Sequence, residues 1–190
     1  YPLTEGHPFG ERCPLCLGET CSVSRKDIVH ESNEEREGKD SRELAVLVDN
    51  VRSAWNVGSI LRTADGFGFG HAFLCGITPT PEKAEVRKTA LGAEQFVSWS
   101  QHRDATKLVE NLKAEGWQVW VLEFAERATP IYEAEQKGRK TVLIVGSEVT
   151  GVDPGLLEVA DKIFYLPMRG QKRSFNVAVA FGAAAFALNQ

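Results

Sequence analysis

The segment that follows the first apolar run of the chain carries amide and guanidinium side chains at helical spacing. It runs from Asp49 to Arg62 with the sequence D-N-V-R-S-A-W-N-V-G-S-I-L-R. Asn56 and Arg62 are six residues apart, close to two helical turns, so both can face the same edge of a sheet. Side chains placed there could contact a ligand bound beyond the end of the strand. An asparagine helix cap and a solvated arginine would account for the same pattern.

Two later segments combine glycine with polar and charged side chains. In V-G-S-E-V-T-G, Glu148 lies between Gly146 and Gly151 after a strongly apolar strand, and Gly146 would let a ligand approach the backbone closely. A turn with a solvated glutamate is the commoner interpretation of such a pattern. The second segment, L-P-M-R-G-Q-K-R-S-F-N-V-A-V-A over 166–180, ends a strand and opens the last helix, with Ser174 as the predicted N-cap. Its three basic residues would equally suit a solvated surface.

Alternating strand-like and helix-like segments must position these three loops. Such alternation over about 150 residues predicts an α/β fold with a mostly parallel sheet and helices on both faces. In open sheets of this kind, ligands bind beyond the carboxyl ends of the strands, where the three loops lie. The predicted strands are 44–48, 72–75, 96–99, 117–122, 141–145 and 163–166. The predicted helices are 55–67, 80–92, 102–115, 153–160 and 174–188.

The composition is that of a folded chain without a membrane-spanning segment. The 190 residues are 43% hydrophobic. The longest apolar stretch, Val177–Leu188, has 12 residues, whereas a membrane helix needs about 20. Four cysteines are too few for a disulfide scaffold, and no signal peptide is visible. We therefore expect a reduced, cytoplasmic location.

The formal net charge of −4 comes from the first part of the chain. Residues 1–43 hold ten acidic and six basic residues, whereas residues 44–190 hold sixteen of each. An acidic balance argues against nucleic-acid binding, which normally needs a basic patch. Because the rest of the chain is neutral, however, bases concentrated in a few loops would still form a locally positive surface.

The cysteines of the first 43 residues suggest a metal site. Residues 1–43 are predicted to be an arm or linker and 44–190 a separate domain. The sequence Cys13-Pro-Leu-Cys16, followed by Cys21, resembles a zinc knuckle with a third ligand. A structural zinc site normally has four ligands, so three reduced thiols in a flexible arm are the alternative. The fourth ligand would be His7, His30 or Cys75.

Taken together and in order, the three loops resemble the three motifs of the SpoU/TrmH branch of the SPOUT RNA methyltransferases. The resemblance covers about 44–190 and leaves out the first 43 residues. Phe175 stands where leucine is usual, Leu166 where isoleucine is usual and Ala178 where serine is common, all of them small changes. The matching positions are Asn56-x-Gly58-x-x-x-Arg62-Thr63-Ala64, Gly146-x-Glu148-x-x-Gly151 and Leu166-Pro167-Met168-x-Gly170-x-x-x-Ser174-Phe175-Asn176-Val177.

The resemblance implies methyl transfer from S-adenosylmethionine to a ribose 2′-hydroxyl in RNA, with transfer RNA slightly ahead of ribosomal RNA. It also implies a C-terminal trefoil knot that forms the cofactor pocket, and a homodimer that completes the active site. The knot is a property of the family and would not follow from periodicity, since chains rarely knot. A non-catalytic RNA-binding or assembly protein that keeps the fold is the alternative.

The resemblance also implies roles for individual residues. Arg62 would stabilise the developing alkoxide and orient phosphate, because a guanidinium keeps its own proton. The expected catalytic and orienting residues are Arg62, Asn56, Glu148, Ser174 and Asn176. The expected cofactor contacts are Val145, Gly146, Glu148, Leu166, Met168, Gly170, Ser174, Phe175 and Asn176. The expected RNA contacts are Arg52, Arg62, Arg169, Lys172 and Arg173.

Other α/β enzyme classes fit the sequence less well. The glycines of G-F-G-F-G over 66–70 follow a predicted helix and precede a strand, the reverse of the order needed to hold a dinucleotide phosphate. There is no G-x-x-x-x-G-K-[ST] sequence, which disfavours a P-loop NTPase. V-G-S-E-V is not a G-x-S-x-G elbow, and the three loops hold no histidine, so a serine hydrolase is disfavoured.

Overall fold

The computed structural model describes residues 12–13, 15–21, 43–135 and 140–190. By its internal contacts the chain divides into two units, Tyr1–Lys39 and Asp40–Gln190. The segment at 22–42, predicted to be a solvated linker or short exposed helix, lies outside the described residues, so that prediction stays open.

A tight turn surrounds the cysteine pair in the first unit. Arg12 and Glu19 form an isolated antiparallel bridge. The Cys13 amide donates to the Gly18 carbonyl at 2.9 Å, and the Leu17 amide donates to the Cys13 carbonyl at 2.8 Å. Leu17 has a φ of 57°, the left-handed conformation that reverses the chain direction here. These backbone hydrogen bonds bring Cys13 next to Leu17 and Gly18.

The second unit is an α/β domain in which every described strand pair is parallel. No helix of the described ranges is long and apolar enough to cross a membrane. The strands are β1 Glu43–Asp49, β2 His71–Cys75, β3 Ser98–His102, β4 Gln118–Leu122, β5 Thr129–Pro130, β6 Lys140–Val145 and β7 Lys162–Tyr165. The helices are α1 Ala54–Gly66, α2 Ala84–Ala90, α3 Ala105–Ala114, α4 Pro154–Val159 and α5 Val177–Leu188.

The strand order places β1 and β6 at the centre of the sheet. The order is β3-β2-β1-β6-β4-β7-β5. β2 and β3 therefore lie on one side of β1, and the four later strands lie on its other side. β1 and β6 pair in register from Glu43 with Lys140 to Val48 with Val145. Their carboxyl ends therefore form the switch point at which open α/β sheets bind ligands.

The apolar strands bury both faces of the sheet, as their continuous hydrophobic runs predict. In β1, Val46 and Val48 belong to one core cluster, which the helices α1, α2 and α5 cover. Ala45 and Leu47 belong to a second cluster, which α3 and α4 cover. All four side chains are fully buried. The prediction of a mostly parallel sheet with helices on both faces is therefore confirmed.

Several predicted boundaries are wrong. The third strand is Ser98–His102 rather than 96–99, because a 3-10 turn occupies Ala93–Gln95 and the strand pairs with β2 as far as His102. The helix after it begins at residue 105, because the Asp104 side chain caps it. Ser174 is not the N-cap of the last helix. Asn176 is, and the helix begins at residue 177.

Candidate active site

The three loops predicted to carry chemistry all leave the carboxyl ends of strands near the centre of the sheet. The first leaves β1 and leads into α1, and the second leaves β6 and leads into α4. The third leaves β7, two strands away from β6, and leads into α5. Parallel strands point their carboxyl ends the same way, so the loops meet at one edge of the sheet.

A chain of hydrogen bonds joins the three loops. Asn56 Nδ2 donates to Glu148 Oε1 at 2.8 Å, and Asn176 Nδ2 donates to Asn56 Oδ1 at 3.0 Å. Asn176 Oδ1 also accepts from the amides of Ala178 and Val179, at 3.0 and 3.4 Å, and so caps α5. Three of the predicted catalytic and orienting residues therefore lie together, although they come from loops that are far apart in sequence.

The Glu148 carboxylate also holds the backbone at the start of the first loop. It accepts from the amides of Arg52 at 3.1 Å and Ser53 at 3.4 Å. Ser53 is the N-cap of α1 and accepts from the Asn56 amide at 3.3 Å. Partial burial would raise the pKa of Glu148, but its hydrogen bonds, including those from Asn56, Arg52 and Ser53, together lower it. The site favours the ionised carboxylate.

The lowered pKa of Glu148 predicts a pH-dependent contribution to stability. Such a carboxyl stabilises the fold above its unfolded pKa of about 4.3, and this stabilisation is lost as the pH falls through the folded pKa. We expect Glu148→Gln to unfold at lower urea than the wild type at neutral pH, with a difference that shrinks toward about pH 3. Glu158→Gln, at an exposed glutamate of α4, is the control. A difference that does not change with pH would contradict the assignment.

The loop after β6 folds back on itself. Ser147 and Gly151 exchange two backbone hydrogen bonds, of 3.0 and 2.9 Å. A Cβ on Gly146 would lie 2.3 Å from the Val152 nitrogen, closer than any side chain could fit. The close backbone approach predicted at Gly146 is therefore made by the loop itself, and it fixes the loop that carries Glu148.

Two carboxylates that are not among the predicted site residues hold the end of this loop. Glu123 Oε2 accepts from the Val152 amide at 3.0 Å, and Asp49 Oδ2 accepts from the Asp153 amide at 3.2 Å. Asp49 is 2% exposed, and this burial raises its pKa although the hydrogen bond from Asp153 opposes the shift. Each acid stands at the carboxyl end of an apolar strand, β1 or β4. An acidic residue at the end of an apolar strand is the sequence pattern from which both could have been predicted as site residues.

A cavity of about 850 Å³ opens beside the loop that follows β6. Its walls come from the ends of β4, β6 and β7 and from the third loop. The volume lies within the range of about 300–1,000 Å³ that is typical of small-molecule sites. Asn176 is not part of the wall and contacts Asn56 instead. The other predicted cofactor contacts all line the cavity, namely Val145, Gly146, Glu148, Leu166, Met168, Gly170, Ser174 and Phe175.

The predicted RNA contacts are all exposed, but they do not all lie at the cavity. Lys172 and Arg173 line it, and Arg169 precedes them in the same loop. Arg52 contacts Glu148 through its backbone amide. Arg62 lies on the exposed side of α1, and within the described residues no hydrogen bond or ion pair joins it to the Asn56–Glu148 pair. Within the described residues, the Arg62 side chain therefore does not line the cavity.

The predicted zinc site at Cys13, Cys16 and Cys21 is not supported. The amides of Cys16 and Leu15 and the Cys16 thiol donate hydrogen bonds to the Cys13 sulfur and lower its pKa. In the described part of the chain, however, no three histidine, cysteine or acidic side chains are grouped to hold a metal ion. Cys75 is fully buried, and this burial raises the pKa of its thiol to about 12, which disfavours the thiolate that zinc needs. His7 and His30 lie outside the described residues.

The sequence matches a known family over most of its length. The profile of the SpoU rRNA methylase family matches residues 43–186. A tRNA (guanosine(18)-2′-O)-methyltransferase of Aquifex aeolicus is 30% identical over 145 residues, which are 76% of this chain and 67% of the relative. A 23S rRNA (guanosine(2553)-2′-O)-methyltransferase of Bacillus subtilis is 34% identical over 135 residues, which are 71% of this chain and 53% of the relative.

The structural comparison agrees with the sequence match. An AdoMet-bound rRNA methyltransferase from Sinorhizobium meliloti superimposes with a TM-score of 0.72 and 28% identity, covering 76% of this chain and 55% of that one. A TrmH/SpoU tRNA modifying enzyme from A. aeolicus superimposes with a TM-score of 0.70 and 27% identity, covering 77% of this chain and 73% of that one. The chain thus spans from about half to about three quarters of the length of these proteins.

Proposed function

This chain belongs to the SpoU rRNA methylase family, and we propose that it transfers a methyl group from S-adenosylmethionine to a ribose 2′-hydroxyl in structured RNA. The observation that carries the proposal is the hydrogen-bonded chain from Asn176 through Asn56 to Glu148, whose last member lines the 850 Å³ cavity. It ties together the three loops that resemble the family motifs.

The cavity residues fit S-adenosylmethionine. Val145, Leu166 and Met168 offer an apolar wall for a purine, and Ser147 and the backbone of the third loop offer polar groups for the rest of the molecule. Bound there, S-adenosylmethionine supplies a methyl group on a sulfonium sulfur. We assign cofactor contact to the eight predicted residues that line the cavity.

The residues of this chain act by position and charge. Methyl transfer to a hydroxyl is an in-line displacement, so holding the reacting groups in line supplies much of the rate. Glu148 and Asn56 fix the first turn of α1, and Asn176 fixes the start of α5. Ser174 lines the cavity two residues before that cap and orients the third loop. Arg62 holds the RNA phosphate and stabilises the developing alkoxide.

We infer that RNA contact is local and centred on the site. The third loop places Arg169, Lys172 and Arg173 at or next to the cavity, on a domain in which the charges of residues 44–190 sum to zero. A positive mouth of this kind binds phosphate with a marked dependence on salt. Relatives named for transfer RNA and for ribosomal RNA both match, and we favour transfer RNA.

A homodimer would complete the site. Helix α5 exposes an apolar face within the described residues, with Val179 and Phe186 each 58% exposed and Ala183 between them. Contiguous exposed apolar side chains of this kind can mark a protein interaction surface. A second copy bound to this face, beside α1, would bring its own Arg62 toward the cavity of this chain. Arg62 of this chain does not line that cavity.

We also propose the remaining features that the resemblance implies. The segment after β7 runs back to Asn176, which contacts Asn56 of the first loop, and this return path is compatible with the family's trefoil knot. Residues 1–43 would form an arm that is separate from the methyltransferase domain at 44–190. We expect such an enzyme to work in the cytoplasm.

The dimer proposal predicts the effect of a charge on α5. Ala183→Glu adds a carboxylate at the centre of the exposed face and removes no buried side chain. We expect the wild type to sediment as a dimer and this variant as a monomer, because burying an unpaired charge opposes association. Ile77→Glu, at a residue that is 67% exposed and outside α5, is the control and should stay dimeric. Dimers that persist in Ala183→Glu would place the interface elsewhere.

Two measurements test the proposed activity. Calorimetry with S-adenosylmethionine asks whether the cofactor binds, and mapping of 2′-O-methyl sites in total RNA with and without the protein identifies the target. We expect micromolar or tighter cofactor binding and at least one protein-dependent methyl site. RNA binding without cofactor binding would instead support the non-catalytic alternative.

A further inference from the structure

Two acidic side chains line the cavity within the described residues, and they differ in how they are used. Glu148 faces the first loop and accepts hydrogen bonds from Asn56, Arg52 and Ser53. Glu123 follows β4, the neighbour of β6 on the side away from β1, and none of the sequence motifs includes it. Its role in the cavity needs a separate explanation.

The Glu123 carboxylate is held in a fixed position by backbone amides. Its Oε1 accepts from the Phe124 amide at 2.9 Å, and its Oε2 accepts from the Val152 amide at 3.0 Å. A carboxylate has about four acceptor positions, so these two bonds leave others for a ligand. Because the orientation is already fixed, a bound ligand need not order this side chain.

Gly151 allows this close approach. Its φ is +72°, and a Cβ at this position would lie 2.4 Å from Glu123 Oε2. A side chain here would therefore displace the carboxylate as well as strain the backbone. The loop geometry and the position of Glu123 belong to one arrangement.

The strand order indicates which part of the cofactor Glu123 faces. The reacting methyl must lie toward Asn56 and Glu148, in the loops after β1 and β6. β4 lies on the far side of β6 from β1, one strand spacing of about 4.8 Å further away. We therefore expect the nucleoside of the cofactor, rather than its sulfonium, to lie near Glu123.

We propose that the Glu123 carboxylate accepts hydrogen bonds from the ribose hydroxyls of S-adenosylmethionine. This proposal rests on the proposed function. Two neighbouring hydroxyls are paired donors that suit a carboxylate acceptor. Dinucleotide-binding folds also bind ribose with an acid that follows a strand beside the one with the glycine-rich loop. Glu123 is then a cofactor-binding residue that sets specificity for a ribonucleoside.

Calorimetry with S-adenosylhomocysteine and its 2′-deoxy and 3′-deoxy analogues tests the proposal. We expect Glu123→Gln, which keeps the side-chain shape, to bind S-adenosylhomocysteine about 10–100-fold more weakly than the wild type. For the wild type, at least one deoxy analogue should bind more weakly than S-adenosylhomocysteine by a similar factor. Glu123→Gln should weaken the binding of that analogue little further. Glu126→Gln, at the next glutamate along the chain, is the matched control and should bind normally. Thermal unfolding verifies that both variants fold.

Two outcomes would overturn the ribose assignment. If Glu123→Gln lowers the affinity for S-adenosylhomocysteine and for both deoxy analogues by the same factor, Glu123 acts only by holding Val152 and the loop. A loss for S-adenosylmethionine without a loss for S-adenosylhomocysteine would mean that Glu123 faces the sulfonium. A wild type that binds none of these ligands would instead refute the proposed function, so the two failures are distinguishable.

Discussion

Arg62→Ala is expected to lower the rate of RNA methylation by about 10²–10³-fold, the usual effect of removing one group that stabilises a developing negative charge. S-adenosylmethionine should bind as in the wild type, because Arg62 is exposed on α1 and does not line the cavity. Single-turnover methylation and calorimetry measure the two effects separately. The expected result is therefore a loss in the chemical step without a loss in cofactor affinity.

Two comparisons sharpen this test. Arg62→Lys keeps the charge but not the planar fork of donors, so we expect it to recover only part of the rate. Arg103→Ala removes an exposed arginine outside the three loops and should leave the rate unchanged. Methylation that continues at the wild-type rate in Arg62→Ala would show that another group stabilises the alkoxide.

The sequence was sufficient to predict the central sheet and the loops that leave it. Leu47 and Val48 lie in a continuous apolar run, which predicted a strand buried on both faces and helices on both sides. Asn56 and Glu148 each follow such a strand in a segment with glycine, and the resemblance to the family motifs implied their roles. The structure joins the two side chains by a hydrogen bond. The buried strand and the motif segments could be recognised because each is a short stretch of sequence whose pattern does not depend on distant contacts.

Other features depend on contacts between distant parts of the chain. Ser174 and Asn176 are both good N-cap residues, and only Asn176 also reaches Asn56, 120 positions away. The two-residue strand β5, Thr129–Pro130, has no apolar run and exists through its pairing with β7 at the sheet edge. Glu123 belongs to none of the three motifs, and only the fold places it against Val152.

Gly146→Ala is expected to abolish measurable cofactor binding. The new Cβ would lie 2.3 Å from the Val152 nitrogen and 2.4 Å from the Gly151 carbonyl carbon, so the backbone of the loop must move. Because Gly146 and Gly151 line the cavity, this movement changes the surface that the cofactor contacts. We expect at least a 100-fold loss of affinity for S-adenosylhomocysteine by calorimetry, on the order of 3 kcal/mol.

The matched control is Gly66→Ala at the end of α1. A Cβ there would meet no atom within 4 Å, and alanine suits a helix better than glycine does. This variant should bind the cofactor normally and be at least as stable as the wild type. Normal cofactor binding by Gly146→Ala would contradict the assignment of this loop to the cofactor site.

Mixing the two inactive variants tests which copy of the chain supplies Arg62. If the arginine comes from the second copy, a mixed dimer of Arg62→Ala and Gly146→Ala has one site with both groups intact and one site with neither. Random assortment makes half of the dimers mixed, so the mixture should regain about a quarter of the wild-type activity. If Arg62 serves its own chain, every site lacks one group and the mixture stays inactive. Recovery would therefore support the homodimer and the role of Arg62 in one experiment.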